Sequence, residues 1–139
     1  LEQLFLKLSP KKVTILRLPM VFGVASPRVN ELKLHLEFDT PIELFPNLIM
    51  NVISDKKVTQ QLHYIINRNK HGVFHLGSKD LVHHDDFIKD LVSKIGAKTP
   101  RYKLVYTTNN DRYLAVLPKE NKLPNHLQMY SLEILETLF

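Results

Sequence analysis

The residues best able to do chemistry in this chain are an arginine set inside an apolar run and two histidines set beside two aspartates. In "VTILRLPMVFG", positions 13–23, Val13, Ile15, Leu16 and Leu18 are apolar on both parities, the pattern of a strand buried on both faces of a parallel sheet. Arg17 stands in the middle of that run. An unpaired buried guanidinium is costly, so Arg17 must reach a partner or the sheet edge and anchor the strand's end or the turn by a charge-assisted bond. The competing reading is a purely structural ion pair. His83-His84-Asp85-Asp86 has the composition of a metal cluster. Adjacent helical residues point about 100° apart, however, and ligand pairs sit at i, i+3 or i, i+4. We therefore read Asp85 and Asp86 as acids at a helix N-terminus and assign no metal site. His75, within a strand pattern, reads as a packed or hydrogen-bonded histidine. Asn51, ahead of a capped helix, has the chemistry either to bond a substrate or to satisfy a turn.

Those residues need elements to hold them. Leu1, Leu4, Phe5 and Leu8 recur at i, i+3, i+4 and i+7, so the chain opens inside an amphipathic helix with no Met and no capping residue before it, as expected of a fragment. Ser9-Pro10 breaks the helix and a strand is predicted at about 12–22. Pro27 opens a ragged helical pattern with Val29, Leu32, Leu34 and Leu36, and Ile42–Leu44 reads as a strand. Ser54 and Asp55 begin a helix with an apolar face of Val58, Leu62, Ile65 and Ile66, ending near Asn69. "GVFHLGS" at 72–78 is a further strand. A helix over about 83–95 carries Phe87, Leu91, Val92 and Ile95 on one face and stops at Gly96. "RYKLVYT" reads as extended, and Ser131 as the cap of a last helix, Leu132 to Leu138. This alternation predicts an α/β fold with a largely parallel sheet, residues 1–139 forming one domain.

Composition removes several classes of function. At 139 residues and 44% hydrophobic content the chain can bury one modest core. It has no apolar run near the roughly 18 residues of a membrane span and no basic-then-apolar leader, so no membrane role is expected and the cytoplasm is the default location. The absence of cysteine rules out disulfide scaffolds and thiolate metal sites. The formal charge of +5 comes from bases scattered among acids, so nucleic acid is not the expected partner.

"ILRLPMVFG" resembles the strand and turn of the extended short-chain dehydrogenase/reductase family, where an Arg in the strand precedes Val-Tyr-Gly or Val-Phe-Gly beside the nicotinamide. The order that follows is similar as well. "SPRVNELK" resembles the family's Pro- and Asn-rich turn, "NLIMNVISDKKVTQQLHYII" the strand and helix that usually carry Asp-Val-Ala, and "GVFHLGS" its Gly-x-(Tyr/Phe)-(His/Asn)-(Leu/Ile)-Gly strand. "HHDDFIKDLVSKIG" falls where the family has the next helix. Within the family, "YLAVLPKENKL" resembles the Pro-containing turn before the final helix of the dTDP-4-dehydrorhamnose reductase branch.

The resemblance implies the C-terminal, substrate-side portion of a Rossmann-like fold. It implies NAD or NADP as cofactor, with Pro19, Met20, Val21 and Phe22 near the nicotinamide. It implies a nucleotide-sugar substrate, met by Arg17, Pro27, Arg28, Asn30 and Asn51; the planar fork of Arg28 suits a diphosphate or, on the plainer reading, faces solvent. The family's Gly-rich phosphate turn has no counterpart here, because Gly23, Gly72, Gly77 and Gly96 form no G-x-G-x-x-G cluster. Its Tyr-x-x-x-Lys is also missing, since none of the five tyrosines has a Lys four positions on. Proton supply to an alkoxide therefore belongs to the missing N-terminal half, and no catalysis is expected of this chain alone. The family's use of the Tyr-x-x-x-Lys helix in assembly adds a homodimer as an expectation. Three functions compete: part of an NAD(P)-dependent sugar-nucleotide oxidoreductase or epimerase, a non-catalytic relative serving as a binding or regulatory module, and a basic module for RNA or anionic surfaces.

Overall fold

The apolar run around Arg17 is not one strand but two. Thr14–Arg17 forms β1 and Met20–Phe22 forms β2, and the break falls at Leu18-Pro19. Proline has no amide hydrogen to give a ladder and its ring fixes φ, so the chain leaves one pairing there and enters another. The computed structural model describes residues 1–9, 12–96, 99–107, 109–117 and 123–138. Residues 118–122, which carry most of the proposed Pro-containing turn, lie outside these, as do Pro10 and Phe139.

The remaining elements follow the predicted alternation. Glu2–Leu8 is α1, Pro27–Glu37 is α2, Ile42–Leu44 is β3, Leu48–Met50 is β4, Val52–Ser54 is β5 and Asp55–Asn67 is α3. Then come Gly72–His75 as β6, Val82–His83 as β7, His84–Ile95 as α4, Tyr102–Leu104 as β8, Arg112–Leu114 as β9 and Ser131–Thr137 as α5. Parallel pairing dominates: β1 with β6, β2 with β5, β3 with β8 and β4 with β9. Only β4 with β7 is antiparallel among the described strands. The expected α/β class with mostly parallel strands is what the chain forms.

Local chemistry explains the helix starts. Ser26 Oγ accepts the Val29 amide at 3.4 Å with Pro27 in the first turn of α2, and Ser54 Oγ accepts the Lys57 amide at 3.2 Å at the head of α3. Asp85 and Asp86 occupy the first turn of α4, and Gly96 ends it with φ of +79°, in the left-handed region that favours glycine. The last helix departs from expectation. Ser131 is its first helical residue rather than its cap; the carboxylate of Asp80 accepts both the Ser131 amide, at 2.8 Å, and the Ser131 hydroxyl. An aspartate far upstream supplies what a local cap normally does. Replacing Asp80 with alanine is expected to cost about 1–2 kcal/mol, the worth of a lost cap. The check is a lower urea midpoint with an unchanged slope.

The core sits where the strands meet α3, α4 and α5. Phe22, Leu44, Met50, Ile53, Leu76, Leu91 and Ile134 are fully or almost fully buried, and the Phe22 ring packs on Phe87 with centroids 5.0 Å apart. Three sequence expectations fail here. β1 is only partly buried rather than covered on both faces, because Thr14 and Arg17 face solvent. Ile66 is 66% exposed and the buried stripe of α3 runs instead through Gln61 and Ile65. Leu34 on α2 points outward too. No residue of α1 is buried, and no helix among the described residues is long and apolar enough to cross a membrane.

Candidate active site

A cleft of about 390 Å³ opens between α2, β2, β3 and the start of α4. β2 places Met20 on its wall, α2 brings Arg28 and Glu31, β3 brings Glu43, and α4 brings His84 and Ile88. Phe22 lies beneath the floor: its side chain has no exposed surface, so it supports the cleft rather than touching its contents. Arg28 is exposed and makes no ion pair among the described residues. By contrast His35, at the cleft's rim, is held by Thr40 Oγ1 at 2.7 Å and lies 3.9 Å from Glu31. The cleft therefore sets one guanidinium without an ion-pair partner among the described residues together with two carboxylates, Glu31 and Glu43, and with Leu32, Ile42 and Ile88 as apolar lining.

His84, to which the sequence assigns no role, lines the cleft. Its ring is buried, stands edge-on to Phe45 at 5.2 Å, and its Nδ1 accepts the Phe45 backbone amide at 3.1 Å. Burial pushes its pKa below the ordinary value of 6.5; Asp85 opposes that shift and Arg28 adds to it. The other titratable groups lining the cleft are Glu31, His35 and Glu43. The sign of the resulting pH dependence follows. Above about pH 6.5 the ring is neutral in both folded and unfolded chains; below it the unfolded chain takes the proton first, so stability falls with pH until the native ring also protonates. Urea midpoints measured from about pH 7 to about pH 5 are expected to drop less in His84→Phe than in the wild type.

Arg17 has found its partners. Its Nε lies 3.0 Å from Glu2 Oε2, and one terminal nitrogen lies 3.1 Å from His75 Nε2, the residue directly opposite it in the β1–β6 register. His75 Nδ1 in turn meets the Leu117 carbonyl at 2.9 Å. Because arginine only donates, Nε2 of His75 must accept and Nδ1 must carry the proton to Leu117. The Glu2 carboxyl is held below its usual value by the hydrogen bond from Arg17, and Arg17 is raised in return. Both side chains are nearly half exposed, so solvent screens the pair.

The other candidates are spread around the cleft rather than gathered in it. Pro27 starts α2, and Asn30 Nδ2 donates to the Ala25 carbonyl at 3.2 Å, so both shape the turn that leads to Arg28. Val21 packs against the core. Asn51 has no exposed surface: Nδ2 donates to the carbonyls of Val116 at 2.8 Å and Ser78 at 3.2 Å, and Oδ1 accepts the Val116 amide at 2.8 Å. Pro19 lies beyond the carboxyl end of β1, where a Cβ placed on Gly77 would come 3.0 Å from its Cγ and 2.4 Å from Asn51 Nδ2. Glycine at 77 is what lets these two turns lie against each other.

No family model matches the sequence, and no curated protein matches it. Solved structures do match. Over 91% of this chain and 47% of the other, it superposes on the dTDP-4-dehydrorhamnose reductase of Bacillus anthracis in complex with NADP, with a TM-score of 0.69 at 16% identity. The fold is the Rossmann-like one of that reductase. The Bordetella bronchiseptica enzyme WbmH in complex with NAD+ matches 99% of this chain with 50% of its own, at a TM-score of 0.65 and 14% identity. The UDP-glucuronic acid 4-epimerase of Bacillus cereus in complex with NAD matches 99% of this chain with 48% of its own, at 0.59 and 15%. The chain spans about half the length of the solved structures it matches.

These three solved structures are each in complex with NADP or NAD. Open α/β sheets bind ligands outside the carboxyl ends of parallel strands, and the Pro19–Gly77 approach lies at that edge of β1 and β6. Leu18, 44% exposed, and half-buried Met20 supply apolar surface beside it. Among the described residues nothing forms a glycine cradle for the pyrophosphate.

Proposed function

We propose that this chain is the substrate-side part of an NAD(P)-dependent oxidoreductase or epimerase acting on a nucleotide sugar, of the dTDP-4-dehydrorhamnose reductase kind. The observation that carries the reading is the course of β2. From Pro19, at the ligand edge of the parallel β1–β6 pair, the chain runs directly into Met20 on the wall of the cleft that Arg28 overlooks. One short strand thus joins a place for a nicotinamide to a place for a diphosphate.

On this reading Pro19, Met20, Val21 and Phe22 form the cofactor side, with Pro19 and Met20 in contact and Val21 and Phe22 fixing them from the core. Arg28 meets the diphosphate. Arg17, Pro27, Asn30 and Asn51 serve the substrate side by holding β1, the head of α2 and the 116–117 segment in place. A nicotinamide held there would supply hydride exchange with the sugar carbon; the chain's own residues bind, orient and exclude water. Its partners are the nucleotide sugar and the other half of the same protein.

The test is calorimetric titration of thymidine and uridine diphosphates into the chain. Binding is expected, and Arg28→Gln is expected to weaken it about tenfold or more, the worth of one charge-assisted hydrogen bond. Failure of both nucleotides to bind would sink the reading. NADPH consumption by the whole protein with a dTDP-4-keto sugar then separates an enzyme from a relative that binds without turnover.

A further inference from the structure

We propose that His84 serves the cleft as a fixed neutral hydrogen-bond donor, its Nε2–H reading an acceptor oxygen of the same nucleoside diphosphate whose phosphates Arg28 meets. The inference rests on the function proposed above and adds to it the residue that selects the ligand's uncharged end.

The tautomer follows from one hydrogen bond. A backbone amide can only donate, so Nδ1, 3.1 Å from the Phe45 nitrogen, must present its lone pair, and the proton of a neutral ring then resides on Nε2. Rotation is blocked as well. The ring is 8% exposed and wedged edge-on against Phe45, and a flip would set a C–H against the Phe45 amide and leave that donor unpaired. Protonation would do the same harm by turning Nδ1 into a second donor facing the amide. Burial and the nearby Arg28 charge both act against the imidazolium, with Asp85 alone acting for it.

Nε2 itself has no hydrogen-bond partner among the described residues, while the residue lines the cleft. A neutral donor pre-oriented at a wall shared with Met20 and Ile88 differs in use from Arg28. The guanidinium is attracted to charge wherever it lies, whereas a fixed N–H rewards only an oxygen placed along its axis. A base carbonyl or a ribose hydroxyl on an apolar floor meets that requirement, and a ligand lacking the oxygen would leave the donor dry and unpaired.

Long-range imidazole nitrogen spectra of the labelled chain test this, with His84 assigned through His84→Gln, whose amide oxygen can still accept the Phe45 N–H. The expected result is a neutral ring with its proton on Nε2, because burial holds the ring's pKa below its ordinary value. Added thymidine diphosphate should shift the His84 Nε2 signal and leave His63 unmoved. His84→Phe should lower the nucleotide's affinity about five- to tenfold, the worth of one neutral hydrogen bond. If thymidine diphosphate binds while the His84 signal stays still, or if the proton sits on Nδ1, the inference is overturned and the proposed function stands. If the nucleotide does not bind at all, that function fails and this inference goes with it.

Discussion

Asn51→Leu is expected to destabilise the protein by about 3–6 kcal/mol, because it strips three partners at once from around a side chain that has no exposed surface. The Val116 amide loses its acceptor, and the Val116 and Ser78 carbonyls lose their donor. Each buried polar group left unpaired costs about 1–3 kcal/mol, and leucine, which shares asparagine's branching but carries bulkier methyls, adds no compensating bond. The effect should also be directional. Asn51 ties β5's entrance to the 116–117 segment, so amide hydrogen exchange at Val116 should rise to the rate of exposed backbone. Gly77→Ala reports on the same spot from the other side, since its Cβ would come 2.4 Å from Asn51 Nδ2. The two changes share a contact and should fail to add. A loss below 1 kcal/mol in Asn51→Leu would mean that the amide is not the stitch described.

Phe22→Ala should cost about 3–5 kcal/mol, as removal of a fully buried aromatic ring does where the surroundings cannot collapse. The ring has no exposed surface and is tilted 51° against Phe87 at 5.0 Å, joining β2 to α4. It also underlies the cleft that Met20, Arg28 and His84 line. Nucleotide affinity should therefore fall together with the unfolding midpoint, even though Phe22 reaches no ligand. Were affinity lost with the midpoint unchanged, Phe22 would be a direct contact and its burial in the ligand-bound protein would have to differ.

Periodicity showed the helices well because their buried faces repeat within a few residues. The stripe of Phe87, Leu91 and Val92 on α4, the Ser54 cap of α3 and the Gly96 stop are all local signals, and the structure has them where the sequence implied. What periodicity could not show was anything made by residues far apart. Asp80 caps Ser131 through a carboxylate with no sequence neighbour to announce it. Gln61 is buried on α3, in a position a polar residue rarely takes, because the Leu127 carbonyl waits for its amide at 2.8 Å. The same limit hid the cleft. Arg28 and Met20 are legible in the sequence as candidates, whereas His84 reads there as part of an acidic helix start, because the Phe45 amide that occupies its Nδ1 is thirty-nine residues away. β9 and β7 were missed because Arg112–Leu114 is exposed throughout and Val82–His83 is only two residues long.

The order in which the strands pair has a consequence for synthesis on the ribosome. β1 waits for β6, β3 for β8, and β4 for both β7 and β9, so among the described strands only the β2–β5 pair can close before Gly72 is made. Ile42–Leu44 and Leu48–Met50 emerge early; the first stays without a strand partner until Tyr102–Leu104 leaves the exit tunnel, and the second has only the two residues of β7 until Arg112–Leu114 follows. Pairings this distant make folding slow and leave sticky strands open to wrong neighbours in the meantime. A nascent chain stalled anywhere before Arg112 should accordingly be a client for chaperones, and one released after it should shed them.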